Sequence, residues 1–234
     1  MNIGGLQKTT LIDFPETVAA VIFTVGCNFS CPFCFNKDLM SGITSVISQK
    51  EIFNFLKERK GFLDGVVISG GEPTIQPDLI RAIREIREMG YKIKLDTNGS
   101  NPKVLEKLLQ AKLLDYVAMD VKTALNELYA WTIRIPDFDL KLWKKSLQLL
   151  IDSGIEFELR TTIVPDIHDK QILVTLAQQI AQLTSKPVWY WQNFQPKNCL
   201  DVEFTKKEPL PNLVLSQWLS AVKKYYDKVE LRNG

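Results

Sequence analysis

Apolar, β-rich runs alternate with segments of helical period along almost the whole chain, and this alternation restricts the fold more than any other feature. The runs Val18 to Val25, Gly65 to Ser69, Lys92 to Asp96, Tyr116 to Val121, Glu156 to Ile163 and Pro187 to Asn193 read as strands. Lys50 to Glu58, Pro77 to Met89, Pro102 to Ala111, Leu140 to Ser153, Lys170 to Leu183 and Leu213 to Tyr226 read as helices. In the second of these, Leu79, Ile80, Ile83 and Ile86 recur three and four apart, and Gly90 supplies a C-terminal stop. The third opens on Ser100-Asn101-Pro102, a polar cap followed by the proline favoured in a first turn. Strand-helix units in series give an α/β fold, a parallel sheet with helices on its faces. A partial barrel and a doubly wound open sheet both satisfy that pattern.

At 234 residues, 45% hydrophobic and 24% charged, the chain suits one globular domain over 1–234 with a well-buried core. Lys and Arg number 29 against 27 Asp and Glu, so no broad positive field points to nucleic acid or to an anionic membrane. The apolar runs are shorter than the roughly 20 residues that cross a bilayer. The first stretch carries Lys8, Asp13 and Glu16 and lacks the uninterrupted apolar core of a secretory signal, so a reducing, cytoplasmic setting is expected.

Three of the 4 cysteines, Cys27, Cys31 and Cys34, fall in one short segment at the end of the first apolar run. A structural zinc site closes all of its positions with protein, usually from paired C-x-x-C knuckles or with two histidines. This chain has a single histidine, His168, and its remaining cysteine, Cys199, lies far downstream. A zinc site of Cys27, Cys31, Cys34 and Cys199 is the alternative on ligand counting. If the three clustered thiolates hold a 4Fe-4S cluster, which normally takes four, one iron keeps a coordination position for something other than protein.

The uncommon polar residues fall where parallel-strand folds bind ligands, beyond the carboxyl ends of the strands. Strand two leads into Gly70-Gly71-Glu72-Pro73, whose glycines let backbone approach a ligand and whose Glu72 can accept from an ammonium group; a tight turn with a solvated glutamate is the plainer reading. Strand three ends at Asp96-Thr97-Asn98-Gly99 and strand four at Asp120-Val121-Lys122. Two neighbouring carboxylates there raise each other's pKa unless a cation such as Lys122 separates them, and an ordinary polar rim is equally consistent. Arg160 interrupts an apolar strand and needs a carboxylate or a ligand, an internal ion pair with one of the aspartates being the plain alternative. His168 sits before a helix in a loop, where histidines are usually surface features, and takes no role in this reading.

With Phe33 at its aromatic position, the C-x-x-x-C-x-φ-C segment resembles the cluster motif of the radical S-adenosylmethionine (SAM) superfamily. Within it the chain is similar to the activating enzymes of glycyl-radical proteins, above all those of anaerobic ribonucleotide reductase. The likeness also rests on Gly5-Leu6-Gln7-Lys8-Thr9-Thr10-Leu11-Ile12-Asp13-Phe14-Pro15, placed before the first strand, and on the rim residues. It implies a partial (β/α)6 barrel and a 4Fe-4S cluster on Cys27, Cys31 and Cys34. It implies a SAM site at Gly70, Gly71, Glu72, Asp96, Thr97, Asn98, Lys122, Arg160, Thr162 and Val164, with Glu72 at the methionine amino group, Asp96 and Thr97 at the ribose, and Lys122 at the carboxylate. A monovalent cation held by Asp96, Thr97 and Asp120 belongs to the same implication.

The implied activity is one-electron cleavage of SAM to a 5′-deoxyadenosyl radical, which removes hydrogen from a glycine of a partner enzyme. The implied partners are a glycyl-radical enzyme and a flavodoxin-like or ferredoxin-like electron donor. Two departures stand out: Phe35 follows the third cysteine where many relatives have histidine, and Gln192 stands near the end of strand six where pyruvate formate-lyase activases place one. Gln195 to Pro209, polar and interrupted by prolines, reads as a partner-facing lid or a plain surface loop. The competing functions are a radical SAM enzyme acting on a small molecule and a noncatalytic zinc or iron-sulfur module.

Overall fold

The computed structural model describes residues 1–42 and 44–232. The elements run β1 (Ile3–Thr10), β2 (Ala19–Thr24), α1 (Lys37–Ser41), α2 (Gln49–Glu58), β3 (Gly65–Gly70), α3 (Leu79–Glu88), β4 (Lys92–Thr97), α4 (Pro102–Gln110) and β5 (Tyr116–Asp120). They continue with α5 (Glu127–Ile133), α6 (Leu140–Ser153), β6 (Glu156–Ile163), α7 (Lys170–Leu183), β7 (Val188–Asn193), α8 (Asn212–Val222) and β8 (Val229–Arg232). Short 3-10 turns occupy Pro73–Ile75 and Val202–Lys206. The chain divides into two compact units, one of residues Met1–Asn28, Asp38–Ala118 and Lys145–Glu156, the other of Phe29–Lys37, Met119–Lys144 and Phe157–Gly234.

In the first unit β2 pairs in parallel with β3, and β3 with β4. β2 and β3 are apolar on both faces, as strands covered on both sides must be, with Ala20, Ile22, Val66, Val67 and Ile68 fully buried; β4 alternates, with Ile93 and Leu95 fully buried on one face and Lys94 and Asp96 on the other. Ile52 and Leu56 of α2, Ala82, Ile83 and Ile86 of α3, and Leu105 and Leu108 of α4 supply the helical side of that core. Ser48 caps α2 by accepting from the Glu51 amide at 3.2 Å.

The segment expected before the first strand is itself a strand. β1 pairs antiparallel with β2 at its edge, with Ile3 opposite Thr24 and Thr10 opposite Ala19. Only Ile3 and Thr10 of its residues are buried, so an edge strand of glycines and polar side chains gives no apolar run to read.

In the second unit β6 pairs in parallel with β7 and β7 with β8. Leu159, Thr161 and Ile163 share a buried face with Trp189 and Trp191, and the Trp189 indole donates to the Thr161 hydroxyl at 2.9 Å; Leu173, Leu176 and Ile180 of α7 are also buried. The opposite face is polar: Glu158, Arg160 and Thr162 alternate with the apolar set, and Tyr190 and Gln192 lie across from Arg160 and Thr162. Like β1, β8 offers no apolar run to read: it is four residues long, with charged side chains at alternate positions. Its Arg232 forms a two-pronged bond to Glu158, 2.8 Å at each nitrogen, and lies 3.8 Å from the centre of the Tyr190 ring. Among the described residues no helix is long and apolar enough to cross a membrane.

Candidate active site

In the first unit the site residues converge at the ends of β2, β3 and β4. Gly70 closes β3 at φ +112°, in the region that favours glycine, and a Cβ there would lie 2.3 Å from the Thr24 backbone nitrogen. At Gly71 a Cβ would stand 1.9 Å from the Gly26 carbonyl oxygen. The backbones approach so closely because the Gly71 amide donates to the Thr24 carbonyl and the Glu72 amide to the Gly26 carbonyl, each at 2.9 Å. The two glycines therefore anchor the chain at the point where the cysteine segment begins.

Glu72 is fully buried. Its Oε1 accepts from the Thr74 amide at 3.0 Å, the Thr74 hydroxyl at 2.5 Å and the Thr97 hydroxyl at 2.7 Å, and its Oε2 accepts from the Asn98 amide at 2.7 Å. Burial raises its pKa, against the pull of the bonds from Asn98, Thr74 and Thr97. The plainer expectation of a solvated glutamate is overturned, since this carboxylate ties the turn after β3 to the end of β4.

Asn98 brings that network to the cysteine. Its side-chain nitrogen lies 3.9 Å from Cys27 Sγ and donates to Asn28 Oδ1 at 2.9 Å, while its Oδ1 accepts from the Ser100 amide at 2.9 Å. An amide aimed at a sulfur stabilises the thiolate form, the form that binds iron. Asp96, on the opposite face of β4 from Thr97, accepts from buried Lys94 at 2.8 Å and from Ser69 Oγ at 3.0 Å.

In the second unit Cys31 is buried and Cys34 half-buried, with the Cys34 amide donating to the Cys31 carbonyl at 3.1 Å. Three backbone bonds hold their segment: Ser30 N–H to Ile133 O, Asp201 N–H to Pro32 O and Leu200 N–H to Cys34 O, all at 2.9 Å. Phe33 packs beside Phe204, ring centres 6.5 Å apart, and Arg134 pairs with Asp201. The stretch Gln195 to Pro209 is thus strapped onto the cysteine segment, a role that its polar composition does not announce. Cys199 is buried within it, and burial, then Cys34 and Asp201 nearby, push its thiol pKa up. Phe35, directly after the third cysteine, is 56% exposed.

Lys122 and Arg160 converge on Asp120. The ammonium lies 2.7 Å from Oδ2 and the Arg160 Nε 3.2 Å from Oδ1. Burial works against the charge on Lys122, but Asp120 and Cys31 more than offset it and its pKa is raised. The ion pair allowed for Arg160 is present. Thr162 is half-buried on the same face of β6, and Val164 just beyond is fully buried.

His168 differs most from expectation. It is buried, not a surface residue. Its Nδ1 accepts from the Val164 amide at 2.9 Å, which leaves the proton on Nε2 to be donated to the Lys122 carbonyl, also at 2.9 Å. Burial lowers its pKa to about 4, so the ring is neutral. Its signal was faint: a lone histidine beside Asp169, the residue that caps α7 by accepting from the Ile172 amide.

The donor set suits an iron-sulfur cluster: all four cysteines are thiols, and one of the clustered three has an amide donor at its sulfur. Among the described residues no three His, Cys, Asp or Glu side chains are grouped as for a single metal ion. A cubane does not require such grouping, because its thiolates bind different irons.

The alternation of parallel strands and helices in both units, with polar residues at the strand ends, defines the chain as an α/β protein of the kind that binds ligands beyond its strand ends. Residues 21–178 match the radical SAM superfamily pattern, and the chain belongs to that superfamily. A protein of Methanocaldococcus jannaschii named "Putative glycyl-radical enzyme activating enzyme" is 35% identical over 235 residues, covering 98% of this chain and 95% of that relative. A second protein of that name from the same organism is 36% identical over 121 residues, 51% of this chain and 44% of its own length. The crystal structure of Streptococcus suis SuiB bound to S-adenosylmethionine superposes with a TM-score of 0.69 at 19% identity, over 91% of this chain and 50% of SuiB. That likeness shows the fold of the radical SAM enzymes.

Proposed function

We propose that this enzyme activates a glycyl-radical partner, with anaerobic ribonucleotide reductase as the partner and a flavodoxin-like or ferredoxin-like protein as the cytoplasmic electron donor. The observation that carries the reading is the likeness to a named activating enzyme over nearly the full length of both chains. Cys27, Cys31 and Cys34 would hold the cluster, whose chemistry when loaded is to pass one electron to SAM and release a 5′-deoxyadenosyl radical.

The residues of the chain do the positioning. Gly71 and Glu72 anchor the start of the cysteine segment through the Thr24 and Gly26 carbonyls, and the strap at Leu200 and Asp201 fixes the part carrying Cys31 and Cys34. Asn98 orients toward the Cys27 sulfur. Lys122 and Arg160, held by Asp120, supply positive charge for the SAM carboxylate, while Asp96, Thr97, Thr162 and Val164 complete the adenosine side of the reading. Asp96 and Asp120 each have a protein cation within 3 Å, which takes up the charge that a monovalent ion would balance, so the proposal omits that ion.

The test is anaerobic incubation of the reduced, reconstituted protein with SAM and an anaerobic ribonucleotide reductase, followed by electron paramagnetic resonance. A glycyl-radical doublet is expected. SAM cleavage with no doublet would refute this partner class and point to a small-molecule radical SAM enzyme. Colourless protein, or protein holding zinc, would refute the cluster.

A further inference from the structure

The cluster and SAM contacts proposed above do not include His168, yet its ring joins two segments at the ends of adjacent strands in the chain's order. The Val164 amide donates to Nδ1 and Nε2–H donates to the Lys122 carbonyl, both at 2.9 Å. Val164 follows directly on β6 and Lys122 lies two residues beyond β5. The ring is 4% exposed, and both its nitrogens are used within the protein. The two segments are further tied by the Val121 amide donating to the Arg160 carbonyl at 2.8 Å and the Thr161 hydroxyl donating to the Val121 carbonyl at 2.7 Å. Those bonds reach only Val121, the residue directly after β5. Beyond them β5 has ended, and His168 carries the connection out to the residues proposed to meet SAM.

We propose that His168 is a positioning residue for SAM binding, a neutral bridge that fixes the Lys122 backbone against the turn after β6 and so aims the Lys122 ammonium. The inference rests on the reading that Lys122 and Val164 contact SAM. It adds that the lysine's aim depends on a side chain that never touches the ligand. Lys122 has a flexible stem whose tip is paired with the Asp120 carboxylate at 2.7 Å, so a drifting backbone would draw the ammonium out of that pairing.

Two substitutions separate the two bonds. The amide of His168→Asn reaches the position of Nδ1 and can still accept from Val164, but is too short to donate to Lys122. The longer amide of His168→Gln places its nitrogen near the position of Nε2 and keeps the donation to Lys122. Wild type and both variants are reconstituted anaerobically; iron and sulfide content, melting temperature and SAM dissociation constant are measured.

The expected result is equal cluster content in all three, SAM binding weakened about two- to tenfold in His168→Asn by loss of one hydrogen bond, and binding within about twofold of wild type in His168→Gln. Unchanged SAM binding in His168→Asn would overturn the inference. So would weakening in both variants that merely tracks their melting temperatures, or, if His168→Asn does not fold, weak binding by folded His168→Gln. Wild-type protein that carries its cluster and fails to bind SAM would instead refute the underlying reading of the site.

Discussion

Replacing Gly71 by alanine tests whether the turn after β3 is fixed by backbone packing against the cysteine segment. The added methyl would sit 1.9 Å from the Gly26 carbonyl oxygen and 2.6 Å from its carbon, where an ordinary carbon-oxygen contact is roughly 3.3 Å or more. The neighbour is main chain, so no rotamer change relieves the clash; Gly26 and Gly71 must part by more than about 1 Å. At that separation the bonds from Gly71 to Thr24 and from Glu72 to Gly26, now 2.9 Å, are lost. Overpacking at about 1–3 kcal/mol and two hydrogen bonds at about 0.5–1.5 kcal/mol each give a cost of about 2–6 kcal/mol. For a chain of this size each kcal/mol lowers the melting temperature by roughly 2–4 °C, so a central cost of about 4 kcal/mol corresponds to roughly 8–16 °C. The control is Gly61→Ala, where φ is +86° but nothing lies within 4 Å of the new methyl, so only left-handed strain of about 1–2 kcal/mol remains. Thermal unfolding of the apo proteins under reducing conditions measures both. If Gly71→Ala melts no lower than Gly61→Ala, the backbone anchor is not what holds this turn.

Acid should weaken the fold through His168. Its pKa is about 4 folded against 6.5 in the open chain, so between those values the unfolded chain binds a proton that the folded protein refuses. The contribution is complete above pH 6.5 and is lost as pH falls toward 4, by about 3 kcal/mol; nearby Asp169 acts in the opposite direction. Urea unfolding at pH 7 and 4.5 should show a smaller acid loss in His168→Gln than in wild type, and parallel losses would contradict the buried neutral ring. Arg232→Ala removes both prongs from the buried Glu158 carboxylate and should cost about 3–5 kcal/mol, read by denaturant unfolding; a loss under 1 kcal/mol would mean that the pair is not holding β8. Cys199→Ala should keep the full iron content and 5′-deoxyadenosine yield, whereas Cys27→Ala, Cys31→Ala or Cys34→Ala should lose both; equal loss at Cys199 would indicate a four-cysteine site.

What could be read in the sequence follows from how each signal is carried. β2, β3 and β5 were visible as continuous apolar runs and β4, β6 and β7 by apolar or aromatic residues at alternate positions, and the observed bounds lie within one residue of expectation. β1 and β8 were invisible because edge strands bury little, and their pairing comes from backbone groups that every residue has. The same division separates the site residues. Cys27, Cys31 and Cys34 announce themselves by residue type and spacing, Lys122 by its place two residues after Asp120, and Arg160 by a charge within an apolar strand. The supporting bonds do not, because they are made by backbone amides of Leu200, Asp201 and Val164, whose side chains carry no trace of them. His168 falls between these cases. Its type is informative, but its burial depends on Val164 and Lys122 meeting it from segments 4 and 46 residues away in sequence. A histidine serves there because one neutral ring accepts from one backbone and donates to another, a pairing of demands that exists only once β5 and β6 have been placed.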